Sequence, residues 1–442
     1  MKKLLIALLL LAGTQLGAQT KDVADALKAY ERAKSNADNP KKVSNPKTWT
    51  DLASSYAQVY DAPIKSIWLG ASQMEIKVLL KDQRIEKSEE VVINKTTLLA
   101  DYYSDKILYY GQNGELVGWV VTKTYLDQPL LEKSYSALVE ALKVDDKGKS
   151  IKEITTQMEA IKTRFFNEAM SAYALGDFKA SSYEFEKAAD ISANKVIGKI
   201  DTALLYYAGL TAFMASEPDY DRAIDFFNRA ISIDYDAAGD AYSYLAEAYK
   251  AKSDLEMAKE VLNRGFKKYP SAQSILVSLI NTYLESNDDP QKILDLIHQA
   301  QVNEPGNATL HYAEGNVWKN LGDLEKATES YKKSVEIDST YYFGYFAIGA
   351  AHYDYAVDIQ AKAAEEMDDT KYEAMVADLE KNLEEAIDPF EKCFKASQDE
   401  EIKAVVAEYL KNIYFRFREK NEEYKAGFDK YNAISQSKEK SE

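Results

Sequence analysis

Apolar and small residues return along much of this chain in paired segments of helical spacing, each pair split by a short polar turn. In residues 242–270 one face of the first segment carries Tyr242, Leu245, Ala246 and Tyr249. The second carries Ala258, Leu262 and Gly265 and stops at Pro270. The next pair places Leu276, Leu279, Ile280 and Tyr283 before Ile293, Ile297, Ala300 and Pro305, with one extra residue in the 287–290 turn. Residues 308–341 set Gly315 and Trp318 ahead of a Leu321-Gly322-Asp323 turn and Ala327, Tyr331 and Ser334 behind it. There Ser339 stands where a proline would end the helix. Upstream, Gly209 precedes Ala223, Phe227 and Ala230, while Phe165 and Ala169 precede Ser181, Phe185 and Ala188 across Leu175-Gly176-Asp177. The small-residue position of the second segment falls at 181, 223, 258, 293 and 327, at intervals of 42, 35, 35 and 34. A period near 34 residues dictates stacked helical pairs, each burying its apolar face on its neighbours, rather than one globular core.

The pattern continues in altered form. Tyr345, Ile348 and Gly349 begin another first helix, but the matching Ala386, Phe390 and Cys393 arrive 25 residues late. The stretch 353–384 has no proline or glycine and is rich in Ala, Glu and Lys, so both helices of this pair should be extended. A last pair near 400–418 and 421–434 should cap the stack with Phe415, Phe417 and Phe428 inward, and the polar tail after Ser435 should fray. At the other end, Trp49-x2-Leu52-Ala53-x2-Tyr56 repeats the first-helix spacing after a helix over 22–35 and a Pro/Lys/Asn linker at 36–47. The period then breaks. Around Asn113-Gly114, apolar and aromatic runs read as a β-hairpin, because both turn positions accept positive φ, and Val91–Ile93 offers a third strand. Residues 75–125 are therefore a small β element inserted among helices that resume at Leu130.

These motifs resemble the tetratricopeptide repeat, whose helix–turn–helix signature is W-x2-L-G-x2-Y … A-x3-F … P. The resemblance covers about two-thirds of the chain and implies an all-α tetratricopeptide superhelix, an α-solenoid, with a small β-hairpin element near the N-terminus. The expected layout is a leader over 1–18, N-terminal helices with a first motif over 19–74, the insert at 75–125 and the repeat array at 126–341. An extended pair at 342–398 and capping helices with a polar tail at 399–442 follow. The resemblance also implies a concave groove lined by first-helix residues that binds a protein or peptide. Its geometry assigns Tyr206, Leu210 and Phe213, then Ser243, Glu247 and Lys250, then Tyr312, Asn316 and Lys319, and finally Phe343, Phe346 and Tyr353. Asn316 and Lys319 echo the polar clamp that some relatives close on a peptide C-terminus. Tyr312 stands where a basic residue would help, which argues against that clamp here.

Charge and ends narrow the partners. Lys2 and Lys3, the uncharged run of residues 4–12 and the Gly17-Ala18 exit form a signal-peptide layout with cleavage near Ala18. Export to the periplasm is expected, with no membrane span in the mature chain. Losing Lys2 and Lys3 takes the formal charge from −17 to −19, and no Lys/Arg cluster offers a local exception, so nucleic acid and anionic lipid are repelled. The one cysteine, Cys393, falls at an apolar helical position and is expected to be packed.

Enzyme chemistry finds no motif. His298, His311 and His352 are scattered without metal-ligand spacing, and no phosphate-binding loop, dinucleotide fingerprint or nucleophile elbow is present. No catalytic residue, cofactor or metal is expected. The expectation is an exported scaffold or adaptor for envelope proteins. A glycan- or nutrient-binding accessory protein is the alternative, weakened by only four Trp, of which Trp49 and Trp318 belong to repeat motifs.

Overall fold

The computed structural model describes residues 21–65, 67–198, 201–286 and 289–439. The expected leader at 1–18 with its cut beside Ala18, and the centre of the 287–290 turn, lie outside the described residues. Among the described residues the chain is all-α apart from one four-stranded antiparallel sheet, and it divides into two compact units, residues 1–236 and 237–442.

In the first unit the helices are α1 (Lys21–Ala37), α2 (Pro46–Asp61), α3 (Gln73–Leu79), α4 (Leu130–Val144), α5 (Ile151–Ala174), α6 (Phe178–Ser192), α7 (Thr202–Met214) and α8 (Tyr220–Ser232). Helix α2 starts where Asn45 accepts a hydrogen bond from the Lys47 N–H and Pro46 takes the first helical position, whose N–H is not needed. Its packing partner is α4, not the element that follows it in sequence. The Ser134 hydroxyl of α4 donates to the Ala53 carbonyl at 2.7 Å, just as Ser181 of α6 donates to Ala169 of α5 at 2.8 Å. The motif on α2 thus heads a helical pair whose two members are separated in sequence by the whole insert.

The insert holds β1 (Lys87–Ile93), β2 (Thr96–Tyr102), β3 (Lys106–Tyr110) and β4 (Leu116–Val121) in sequential order. The Asn113-Gly114 hairpin and the strand at 91–93 are present. Strand β2 adds to the strands that the pattern predicts: its turn is Asn94-Lys95, both at positive φ (48° and 64°), the conformation that a two-residue hairpin demands. A capping box of Ser72 and Glu75 starts α3 just before the sheet. Ile64, Ile76, Leu108, Tyr110, Leu116 and Trp119 form a core of their own beneath it.

The second unit runs α9 (Asp240–Ala251), α10 (Leu255–Lys268), α11 (Gln273–Glu285), α12 (Gln291–Asn303), α13 (Ala308–Asn320), α14 (Leu324–Ile337), α15 (Tyr342–Ala363), α16 (Asp369–Ala396), α17 (Glu400–Phe417) and α18 (Glu422–Glu439). Across both units Ser181, Ala223, Ala258, Ile293 and Ala327 are fully buried, so the register read from the repeat interval holds. Asp177, Asp219, Asp254 and Asp323 each accept a hydrogen bond from the backbone N–H three residues on, which fixes the start of each second helix. Gly315 shows why that seam needs small residues: a Cβ there would lie 2.4 Å from the Tyr331 ring.

Both α15 and α16 are extended as the composition predicts, and Cys393 is buried among Phe390, Leu410 and Ile413. Burial pushes its thiol up to about 12. Two terminal expectations change. Phe417 is buried, but Phe415 is half exposed, stacking on Phe428 and beneath the Arg418 guanidinium, because it lies on the outer face of α17. Helix α18 also continues past Ser435 to Glu439. Among the described residues no helix is long and apolar enough to cross a membrane.

Candidate functional site

Helix α5 presents Phe166, Met170 and Tyr173 at i, i+4 and i+7, so they lie along one face. Helix α7 likewise lines one face with Tyr207, Leu210 and Met214 at i, i+3 and i+7. Apart from the half-buried Leu210, these side chains are 36–41% exposed. One buried ring bridges them: Phe185 of α6 packs edge-on against Phe166 at 6.0 Å and stacks on Tyr207 at 5.5 Å. The result is an aromatic and methionine stripe across consecutive first helices of the first unit.

The residues assigned from sequence are placed differently. Tyr206 is buried, with its ring 5.9 Å from Phe227 and 5.8 Å from Tyr235, and Phe213 packs against Tyr220 at the start of α8. Both point into the α7–α8 pair. Leu210 stays on the open face, and its exposed companions are Tyr207 and Met214, not Tyr206 and Phe213. The hydropathy of α7 gave no guidance, because Thr202–Met214 is apolar almost all round. The α5 face carries an ordinary amphipathic signal but lay outside the residues that the repeat geometry assigned.

In the second unit the assigned residues are engaged with one another and with neighbouring helices. Ser243 is buried, and Lys250 bonds both Glu247 at 3.3 Å and Glu285 of α11 at 3.0 Å. Lys319 pairs with Asp354 of α15 at 2.9 Å, so a cation on one first helix again meets an acid 35 residues on. These pairs staple adjacent repeats. Asn316 accepts the Tyr331 hydroxyl at 2.9 Å, while Tyr312 packs among Tyr331, Tyr341 and Phe343. Phe346 and Tyr353 close on Tyr409 of α17, and Phe346 also meets Phe390. The Phe/Tyr positions on α13 and α15 therefore serve packing between repeats.

Two of the three histidines share a setting that spacing did not reveal. His311 and His352 line one cavity of about 1070 Å³, and His298 reaches Glu314 in its wall at 3.0 Å. Burial of Glu314 opposes its charge, but hydrogen bonds from His311, Gln301 and His298 outweigh it and pull the carboxyl down to about 2. Among the described residues no group of three or more His, Cys, Asp or Glu side chains is arranged to hold a metal ion.

A tetratricopeptide-repeat family model matches residues 308–341, the α13–α14 pair. A repeat protein from Bacteroides fragilis is similar in structure at 20% identity, covering 56% of this chain and 97% of that one with a TM-score of 0.25. YrrB, described as a tetratricopeptide protein with an unusual peptide-binding site, is similar at 16% identity over 45% of this chain and 98% of its own, with a TM-score of 0.29. The 131 kDa subunit of transcription factor tau from Saccharomyces cerevisiae is 36% identical over 88 residues, which span 20% of this chain and 8% of the yeast protein. The matched pair at 308–341, repeated in form by its neighbours, supports the tetratricopeptide-repeat family for this chain.

Proposed function

We propose that the chain is a non-enzymatic scaffold that holds a protein or peptide partner against the α5–α7 stripe, and that it works after export, in the cell envelope. The observation that carries this reading is the stripe itself. Phe166, Met170, Tyr173, Tyr207 and Met214 remain open to solvent on two consecutive first helices, while the sequence-assigned aromatics on α13 and α15 are used between repeats. Large apolar side chains gathered on one surface are the usual mark of a contact site. Aromatic and methionine side chains suit it, because they offer much area and adapt to a partner's shape. The leader-like start and the acidic balance of the chain favour an exported, non-nucleic-acid setting.

The test is capture from solubilised envelopes with the mature chain beside a Phe166→Ala/Tyr207→Ala variant. A reproducible set of proteins lost with the variant supports the scaffold. Retention by polysaccharide beads that the variant leaves intact moves the function to glycan binding.

A further inference from the structure

A second cavity, of about 550 Å³, lies in the first unit where β4 and the 122–128 loop meet α2, α4 and α5. Its wall is mostly apolar and aromatic, with Val59, Tyr60, Trp119, Val121, Leu126 and Leu175 prominent. The volume is within the range of small-ligand sites, which combine such walls with a few convergent polar groups.

The polar group here is Glu168 on α5. The Tyr60 hydroxyl and the Trp119 indole N–H (3.1 Å) donate to the same oxygen, Oε1, and Oε2 accepts from no group among the described residues. No described cation pairs with this carboxylate. Arg164, one turn earlier on α5, is committed to Asp61 through two bonds of 2.8 and 2.6 Å. Lys123, in the cavity wall, holds its ammonium 5.4 Å from the centre of the Tyr125 ring. Burial raises the Glu168 carboxyl above its ordinary value, against the pull of the Tyr60 and Trp119 hydrogen bonds.

With no protein donor on Oε2, a cation or N–H entering the cavity would meet an acceptor already held in place. Aromatic walls add attraction for a cation and none for an anion. A neutral apolar molecule would fill the space and leave Oε2 without a donor. We propose that this cavity binds an organic ammonium or guanidinium carried on an apolar stem, with Glu168 as counter-ion and Tyr60 and Trp119 as walls. The inserted sheet then has a role, since it supplies Trp119–Val121 and the loop that follows. This site is independent of the stripe: Glu168 and Ala172 lie on a face of α5 roughly opposite Phe166, Met170 and Tyr173.

Calorimetric titration of the whole chain with 4-phenylbutylamine, 4-phenylbutanol and 4-phenylbutyrate tests the charge preference directly. The amine should bind roughly tenfold or more tighter than the alcohol, with the acid weakest. Glu168→Gln keeps an acceptor for Tyr60 and Trp119 and should reduce the amine to the level of the alcohol. Val121→Trp, which fills the cavity from β4, should weaken all binding while leaving the melting curve cooperative. Displacement of the amine by acetyl-Phe-Lys-amide assigns the cation to a partner chain, and no displacement assigns it to a free amine. Equal binding of amine and alcohol, an amine preference that survives Glu168→Gln, or no amine binding to the wild type overturns the proposal. None of these outcomes alters the stripe variants' capture, so the two readings fail separately.

Discussion

Ser171 closes the edge of the inserted sheet at Trp119. Its hydroxyl accepts the Trp119 N–H at 2.8 Å and donates to the Trp119 carbonyl at 3.0 Å, so one side chain satisfies the pair that a fifth strand would otherwise take. Gly118 allows the approach, since a Cβ there would lie 2.9 Å from the same hydroxyl oxygen. An edge covered in this way is withheld from pairing with another chain. The contact also fixes β4 against α5, and with it the wall of the Glu168 cavity.

Replacing Ser171 by Ala removes both bonds and leaves a buried N–H and C=O unpaired. The expected loss is roughly 1–3 kcal/mol, read from the urea midpoint. Amide exchange at Trp119 should accelerate with it. A midpoint that does not move would show that water replaces the hydroxyl at no cost.

Ala258 is fully buried on the second helix of the α9–α10 pair, where the repeat calls for a small side chain. Ala258→Leu should overpack the seam and cost roughly 1–3 kcal/mol. Unchanged stability in denaturant would mean that the seam has room that the repeat register does not predict.

Adjacent tyrosines on α7 give a sharper contrast. Tyr206 is buried against Phe227 and Tyr235, and Tyr207 is 40% exposed. Tyr206→Ala should destabilise by roughly 3–5 kcal/mol through the cavity it leaves. Tyr207→Ala should cost under about 1.5 kcal/mol, because much of its surface is already in water. Paired thermal melts decide this, and equal losses would contradict the register.

That contrast shows what the chain's pattern could and could not disclose. Small residues at one-repeat intervals, the Gly-Asp turns at 176–177 and 322–323 and the Asn113-Gly114 hairpin are local signals, and each produced the element it announced. The inward face of α7 was not legible, because a helix apolar on nearly every side carries no phase. The pairing of α2 with α4 spans the whole insert, so neither the pair nor the cavity behind it has a local signature. Lys250–Glu285 and Lys319–Asp354 are likewise contacts between repeats, and single-helix geometry assigned both lysines to the groove instead.

Glu184 supplies a pH test. Burial first, then Glu132 and Glu168, raise its folded-state carboxyl to about 7, above its ordinary value of 4.5. A carboxyl raised on folding favours the folded state fully below its unfolded pKa, and that contribution is lost as pH rises through the folded value. Stability should therefore decline between about pH 4.5 and 7 through this group. Glu184→Gln should raise stability at pH 8 by about 1–2 kcal/mol, allowing for solvent screening of a partly open group, and by almost nothing at pH 4. A gain of the same size at both pH values would assign the effect to packing.

The central claim is that the α5–α7 stripe is the partner surface, and affinity with stability measured side by side tests it most directly. The partner recovered by capture is titrated calorimetrically with wild type and with Met170→Ala/Tyr207→Ala at two salt concentrations, beside thermal melts of both proteins. The account predicts a loss of roughly 1–4 kcal/mol in binding, nearly unchanged melting and weak dependence on salt, because the driving contact is buried apolar area. Unchanged affinity in a variant that melts like the wild type would contradict it.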